Sequence, residues 1–178
     1  MRRVVSVLLA SILLLAALAT PVAAQTPIDE RRVREDVPLG AFDFTLPAGD
    51  FCDFPLLIED IAGDITFVFI TEDRHGNVLE RVIFHTVARY TNTVTGDSFE
   101  ERFDSVGNSL FRADGTFRII ARNDVLAWYV EGDPSELGPG VWLIDHGRIV
   151  EEYDAEGNLV SARVDEADEI LDVCAALS

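Results

Sequence analysis

The 178-residue chain contains no lysine, so all 14 of its basic residues are arginines, and they are outnumbered by 32 aspartates and glutamates. The formal net charge is −18. Nucleic-acid binding needs Lys and Arg side chains that replace the cations condensed on the phosphates, so we expect no nucleic-acid partner. Adsorption to anionic lipid is disfavoured for the same reason. Such acidity is typical of a soluble surface that repels its own copies, or of one that attracts a cationic partner or a divalent metal.

The sequence also lacks the short motifs of common catalytic centres: a Gly-x-Ser-x-Gly elbow, a phosphate-binding glycine loop, His-Glu-x-x-His and a dinucleotide fingerprint. Only three histidines are present. His75 and His146 fall in predicted turns, and His85 falls between Arg81 and Arg89 on one face of a predicted strand. We expect that face to point outward, because the opposite face is more apolar and makes the better core. We therefore predict no catalytic residue, no metal ligand and no cofactor.

The only long apolar run covers residues 4–18, which is shorter than the roughly 20 residues of a membrane-spanning helix. It follows Arg2 and Arg3 and precedes the small residues Ala23 and Ala24, an arrangement typical of a secretory signal peptide. The sequence thus predicts a signal peptide over residues 1–24, export to the extracellular space, and no membrane association after cleavage.

Removing these 24 of the 178 residues leaves 154, enough for one domain with a substantial core. Two arginines and no acid are lost, so 12 basic and 32 acidic residues give this part a formal charge of −20. Residues 25–40 are charged and lack a sustained period, which predicts a flexible leader. The folded domain is then expected to cover residues 41–178.

Cysteine is scarce as well, with only Cys52 and Cys174, near opposite ends of the predicted domain. An even number of cysteines in an exported chain favours a disulfide, which would tie the C-terminus to the first strand. Two buried thiols and a metal pair are the alternatives, although two cysteines without a nearby histidine make a poor zinc site.

Apolar and polar residues alternate with a period of two through much of the domain. One run places Val82, Phe84 and Ala88 on one side and His85 on the other. Further short runs cover residues 125–131, 140–146, 148–154 and 158–164. Runs repeated at intervals of about 8 to 12 residues are typical of an all-β meander.

Aspartate and glycine recur between these runs in similar order, in DRHGNV (73–78), ADGTF (113–117), DHGRI (145–149) and DAEGNL (154–159). Aspartate can accept a hydrogen bond from the backbone two residues on, and glycine adopts positive φ without steric cost. We therefore predict hairpin turns at these positions. A calcium loop is not favoured, because it needs several oxygen-bearing side chains at alternate positions.

The C-terminal stretch differs, since four apolar residues after Asp165 have helical spacing: Ile170, Leu171, Cys174 and Leu177. This predicts one short helix capped by Asp165. Together the patterns predict an all-β fold: a single antiparallel up-and-down β-barrel of about 8–10 strands with a short C-terminal helix. Closure removes exposed strand edges, which favours the barrel, and a two-sheet β-sandwich is the alternative.

Several short matches make the chain resemble a group of uncharacterised secreted proteins of high-GC Gram-positive bacteria. The matching positions are Cys52 and Phe54, Thr91-Asn92, Thr95-Gly96, and residues 174–177. The resemblance covers most of the chain after the signal peptide. It implies a β-barrel with a paired-cysteine framework and no known activity, and it transfers no catalytic residues.

Closed barrels commonly enclose small ligands, which makes binding the favoured function. We predict a secreted, lipocalin-like, non-enzymatic protein that binds a small apolar ligand among Phe67, Phe84, Phe99 and Phe117. One alternative is a solid-cored structural or interaction domain that acts through its acidic surface. The less favoured one is a small-barrel enzyme with His85 as its base.

Overall fold

The computed structural model describes residues 33–70 and 72–178, which form nine strands and one short helix. The elements are β1 (Val33–Val37), β2 (Phe44–Leu46), β3 (Leu56–Ile70), β4 (Val78–Asn92), β5 (Ser98–Phe111), β6 (Phe117–Tyr129), β7 (Gly140–Tyr153), β8 (Leu159–Glu166), β9 (Glu169–Asp172) and α1 (Val173–Ala176). The signal peptide predicted for residues 1–24 lies outside the described residues. No helix in the described part of the chain is long and apolar enough to cross a membrane.

All nine strands belong to one antiparallel sheet in the order β1-β3-β4-β5-β6-β7-β8, with β2 also paired to β3 and β9 to β7. In the described residues, the edge strands β1 and β8 are not hydrogen-bonded to each other, so the sheet is not closed. The predicted all-β antiparallel meander with a short C-terminal helix is confirmed. The choice between barrel and sandwich is left open by this pairing.

The turns predicted at residues 73–78, 113–117 and 154–159 are confirmed. The first and the last of them share one hydrogen-bonding scheme. The carboxylate of Asp73 accepts bonds from the Asn77 backbone (3.0 Å) and side-chain amide (2.9 Å). Asp154 accepts the same pair from Asn158, at 2.8 and 2.9 Å. Because each aspartate is committed to its own turn, neither loop presents a free set of oxygen ligands.

The turn predicted at residues 145–149 is wrong, because these residues lie inside β7. Asp145 and His146 together oppose the single residue Asp124 of β6, and His146 has a positive φ of 45°. This is a β-bulge, which uses the same polar and glycine-rich residues as a turn. As a result, the runs predicted as separate strands on either side of it form one 14-residue strand.

The β6–β7 hairpin is buried on both faces, because successive residues of a strand point to opposite sides. Leu126, Val141 and Leu143 belong to one core, and Val125, Tyr129 and Ile144 belong to another.

The hairpin also folds back on itself. The Tyr129 hydroxyl donates a 2.8 Å hydrogen bond to the carboxylate of Glu151, although Tyr129 pairs with Gly140 at one end of the hairpin and Glu151 with Ile119 near the other. The bulge is the place where the register changes, so it permits this bend.

The first core joins β2, β3, β4, β7 and α1 and surrounds the disulfide. Cys52 and Cys174 are bonded, with their Cα atoms 5.4 Å apart, which confirms the predicted pair. The side-chain amide of Asn92 donates a 3.0 Å hydrogen bond to the backbone carbonyl of Leu177. The disulfide and this bond fix the C-terminus against the start of the sheet.

The flexible leader predicted for residues 25–40 needs correction, because Val33–Val37 form β1 and pair with β3. Three of the five residues of this strand are charged, so the sequence shows no alternation of apolar and polar residues there. Charged residues are common on edge strands. Residues 25–32 lie outside the described residues.

The predicted C-terminal helix is shorter than expected. Glu169–Asp172 form β9, and α1 covers only Val173–Ala176, with Asp172 accepting a 3.0 Å bond from the Ala175 backbone as N-cap. Asp165, the cap predicted from sequence, lies in β8 and forms ion pairs with Arg148 (2.6 Å) and Arg163 (2.8 Å). The helical spacing of residues 170 and 171 favours a helix, but their backbone pairing with β7 stabilises a strand instead.

Replacing both Cys52 and Cys174 with serine should lower the free energy of unfolding by about 2–5 kcal/mol. The cross-link closes a loop with a sequence separation of 122, so its loss frees a large denatured ensemble. Urea unfolding followed by tryptophan fluorescence would measure the change, with the reduced wild-type protein as control. Equal stability of the oxidised protein and the double variant would contradict the prediction.

Replacing Gly63 with alanine should destabilise the fold by about 3 kcal/mol. Gly63 has a positive φ of 106°, and a Cβ atom there would collide with the backbone carbonyl of His85 on β4. Gly107→Ala is the matched control, since a Cβ atom there meets nothing within 4 Å. Similar unfolding midpoints for the two variants would show that the backbone around Gly63 tolerates a side chain.

Candidate functional site

All four predicted ligand-binding phenylalanines lie on one face of the sheet, which we call the inner face. On β4 this face carries Val82, Phe84, Ala88 and Tyr90. On the other strands, a residue belongs to the inner face if it pairs directly with an inner-face residue of the neighbouring strand. Phe67 pairs with Val82, and Phe99 pairs with Tyr90. Phe117 pairs with Phe111, which pairs with Val78 of β4. All four phenylalanines are half-buried.

The structure brings only two of these four rings together. Phe67 and Phe84 both contact Phe42, with ring centroids 5.7 and 5.8 Å apart. Phe99 stacks on Tyr90 within the first core. Phe117 stacks on Tyr153, with centroids 4.3 Å apart, near the other end of the sheet. The four predicted phenylalanines are therefore divided among three separate aromatic groups on one face and do not form one cluster.

Small residues leave space on the inner face beside Val82 and Phe84. Gly107 of β5 lies between Val82 of β4 and Ala121 of β6, and a Cβ atom there would meet nothing within 4 Å. The next inward residues along β5 are Ser105 and Ser109. We call the volume above Gly107 the β5 gap; aromatic and aliphatic side chains border it on two strands.

A buried polar cluster on the same face was not predicted from the sequence. Glu151 accepts hydrogen bonds from the hydroxyls of Tyr129 (2.8 Å) and Tyr153 (2.9 Å). Strand alternation places the adjacent acids Glu151 and Glu152 on opposite faces of β7. Glu152 does lie on the other face, where it contacts Arg112 and Arg118.

Burial controls the protonation of this cluster. It raises the pKa of Glu151 above its usual range, and the two tyrosine hydrogen bonds only partly offset that rise. Burial and the nearby Glu151 carboxylate also raise the pKa values of Tyr129 and Tyr153. Both tyrosines therefore stay protonated and serve as hydrogen-bond donors to Glu151.

His85 lies on the opposite, outer face, as predicted, and its side chain is 56% exposed. Its Nδ1 atom is 3.0 Å from the Asp104 carboxylate of β5. Its neighbours along β4 are also paired outside: Arg89 with Glu100 at 2.6 Å, and Arg81 with the Asn108 side chain at 2.8 Å. This row is a ladder of cross-strand polar pairs, which accounts for its charge without a substrate.

An acidic groove opens where β5 and β6 separate, just beyond the pair Ser105–Asn123. Its volume is about 160 Å³, which is small beside ordinary ligand pockets of several hundred Å³. Carboxylates from four strands line it: Glu101, Asp124, Asp145 and Glu169. Only Arg102 supplies positive charge to this lining, and it is bonded to Asp104 at 2.6 Å.

Three possible metal ligands meet beside this groove, in Asp124, Asp145 and His146, whose ligand atoms lie within 4.8 Å of one another. Nδ1 of His146 is 2.6 Å from the Asp145 carboxylate, and this bond raises the pKa of the imidazole. One carboxylate oxygen of Asp124 accepts the Asp104 backbone N–H at 2.8 Å. The His146 side chain is 73% exposed. An ion pair at a surface bulge accounts for this arrangement.

The Glu151→Gln variant should gain stability relative to wild type as the pH rises from 4 to 8. A raised folded-state pKa means that the protonated carboxyl favours folding below its unfolded pKa, about 4.3, and that this contribution is lost as the pH rises through the folded pKa. Glutamine cannot ionise, and its amide can still bond both tyrosine hydroxyls. Urea unfolding at a series of pH values would measure the difference.

Tyr153→Phe serves as the comparison, because it removes one bond that lowers the pKa of Glu151 and should steepen the loss of stability with pH. A pH-independent difference between wild type and Glu151→Gln would show that the carboxyl is solvated.

Comparison with known proteins supplies no relative: no family, no curated protein and no solved structure matches the chain. The resemblance to secreted proteins of Gram-positive bacteria stays a prediction. The function of this acidic, disulfide-bonded, antiparallel β protein must therefore be argued from its own residues.

Proposed function

We propose that this protein is a secreted, non-enzymatic β protein that binds a small apolar ligand on its inner face. The observation that carries the proposal is the β5 gap. There the inward positions of β5 are glycine and serine, whereas Val82 and Phe84 project from the neighbouring strand β4, and Phe67 lies one strand further, paired with Val82. Ligand sites are typically lined by aliphatic and aromatic side chains with a few polar groups.

The half-buried state of the surrounding residues supports the same proposal. Phe67, Val82, Ala121 and Ile119 are neither fully packed nor fully exposed. An apolar ligand above Gly107 would remove part of this surface from water, and such burial is worth about 25 cal/mol per Å². Phe117 and Phe99 support the two ends of the face through their stacking on Tyr153 and Tyr90.

Export is supported by the apolar run at residues 4–18 and by the Cys52–Cys174 disulfide, because disulfides persist mainly in oxidising compartments. A non-enzymatic role is supported by the position of His85 outside the inner face. The buried Glu151 is occupied by two hydroxyl donors, Tyr129 and Tyr153, which hold it in place.

A second candidate function is an interaction domain that binds a cationic partner through its acidic surface. The acidic groove favours it, since Glu101, Asp124, Asp145 and Glu169 converge there from four strands. This function would leave the β5 gap without a role, so we rank it below ligand binding.

Native mass spectrometry of protein purified from culture supernatant tests the main proposal. The wild type should carry a co-purifying small molecule or take up a neutral apolar dye. Gly107→Leu should lose either one, because its side chain fills the β5 gap, whereas Gly107→Ala should retain it. Circular dichroism of both variants checks that they are folded.

If Gly107→Leu fails to fold, Ser109→Leu repeats the block from the adjacent inward position. A wild-type protein with a clean unliganded mass and no dye uptake would overturn the proposal and favour the acidic interaction surface. Unchanged dye binding in a folded Gly107→Leu variant would also overturn it.

A further inference from the structure

Positive charge is kept off the inner face in the described strands β4 to β8. The registers place every arginine of these five strands on the outer face: Arg81, Arg89, Arg102, Arg118, Arg122, Arg148 and Arg163. Most of them are paired there, as Arg89 is with Glu100 and Arg148 with Asp165. The acids of the inner face therefore have no arginine partner within these strands.

Glu80 is the inner-face acid next to the β5 gap. It lies two residues before Val82 on β4, about 7 Å along the strand, and it pairs with Ser109, the inward neighbour of Gly107. The Glu80 side chain is half-buried, and burial raises its pKa. No hydrogen bond or ion pair joins it to another described residue. An acid desolvated without a partner is costly unless something else compensates its charge.

Glu151 lies on the same row of the sheet, which runs from Glu80 through Ser109 and Ile119 to Glu151. Its two carboxylate oxygens already accept the hydroxyls of Tyr129 and Tyr153. Glu151 adds negative potential to the row but is not open to a new partner. Glu80 is thus the group with free acceptors beside the gap.

We propose that the ligand of the inner face is a small apolar amine whose ammonium group pairs with Glu80 while its apolar part fills the space above Gly107. This inference rests on the proposed ligand-binding function and specifies its chemistry. Charge complementarity selects the cation, because the row carries carboxyl groups at Glu80 and Glu151 and strands β4 to β8 add no arginine to this face. The carboxyl groups of this row would repel a carboxylate ligand. A neutral alcohol would leave the negative charge of Glu80 without a compensating positive charge.

The test uses three probes of equal chain length, n-octylamine, n-octanol and n-octanoate, in competition with a neutral apolar fluorescent dye at pH 7.5. On the wild-type protein, octylamine should displace the dye at concentrations about 10-fold or more below those of octanol, as expected for a partly buried charged hydrogen bond. Octanoate should be the weakest of the three.

Glu80→Gln should abolish the preference for octylamine over octanol, because glutamine keeps the shape of the side chain and loses its charge. Glu131→Gln, which removes an exposed glutamate from the β6–β7 loop, is the control for total charge and should retain the preference.

The outcomes separate the two proposals. If the dye and octanol bind and Gly107→Leu blocks them, but octylamine binds no better than octanol, then the amine inference is wrong and ligand binding stands. The amine inference is also wrong, with ligand binding intact, if Glu80→Gln keeps the preference. If neither dye nor probe binds the wild type, or if Gly107→Leu does not affect them, the ligand-binding function itself fails and the amine inference fails with it.

Discussion

The bulge in β7, where Asp145 and His146 oppose Asp124, is the feature on which the rest of the structure depends. Without the extra residue, β6 and β7 would keep one register and run as a regular ribbon. With it, the hairpin bends back, and its two faces enter two different cores. β5 cannot follow the bend, so its pairing with β6 ends at Ser105–Asn123 and the acidic groove opens beyond that pair.

The bend also explains why polar groups are found inside. It moves Tyr129 over β7 and places its hydroxyl on Glu151, so that this desolvated carboxylate has a second donor besides the hydroxyl of Tyr153. The Cys52–Cys174 disulfide then links the segment before β3 to α1, which directly follows β9, the strand that pairs with β7. Glu80 lies outside both hydrophobic cores, on a part of the inner face where its side chain is half-buried.

Much of the sheet follows from alternation alone. β4 and β5 pair through 14 residues without a register shift, so counting by twos from Phe84 assigns each of their side chains to the correct face. This is why His85 and Arg89 are outside, as the sequence predicts, and the structure pairs them there with Asp104 and Glu100. The turns at Asp73 and Asp154 depend only on neighbouring residues, and the pairing of the two cysteines follows from their number. Both were predictable for that reason.

The sequence by itself therefore determined the all-β class, three of the four predicted turns, the disulfide and the faces of the unbroken strands. Tertiary structure decided which face Glu151 occupies, because counting by twos from Ile144 across the bulge puts Glu152, and not Glu151, on the side of the second core. It also decided that the charged segment Val33–Val37 is a strand, since its pairing partner lies about 30 residues away along the chain. The alternation of apolar and polar residues identifies the buried face of a strand only where the strand keeps one register. The position at which the register changes is set by packing between residues that are distant in sequence.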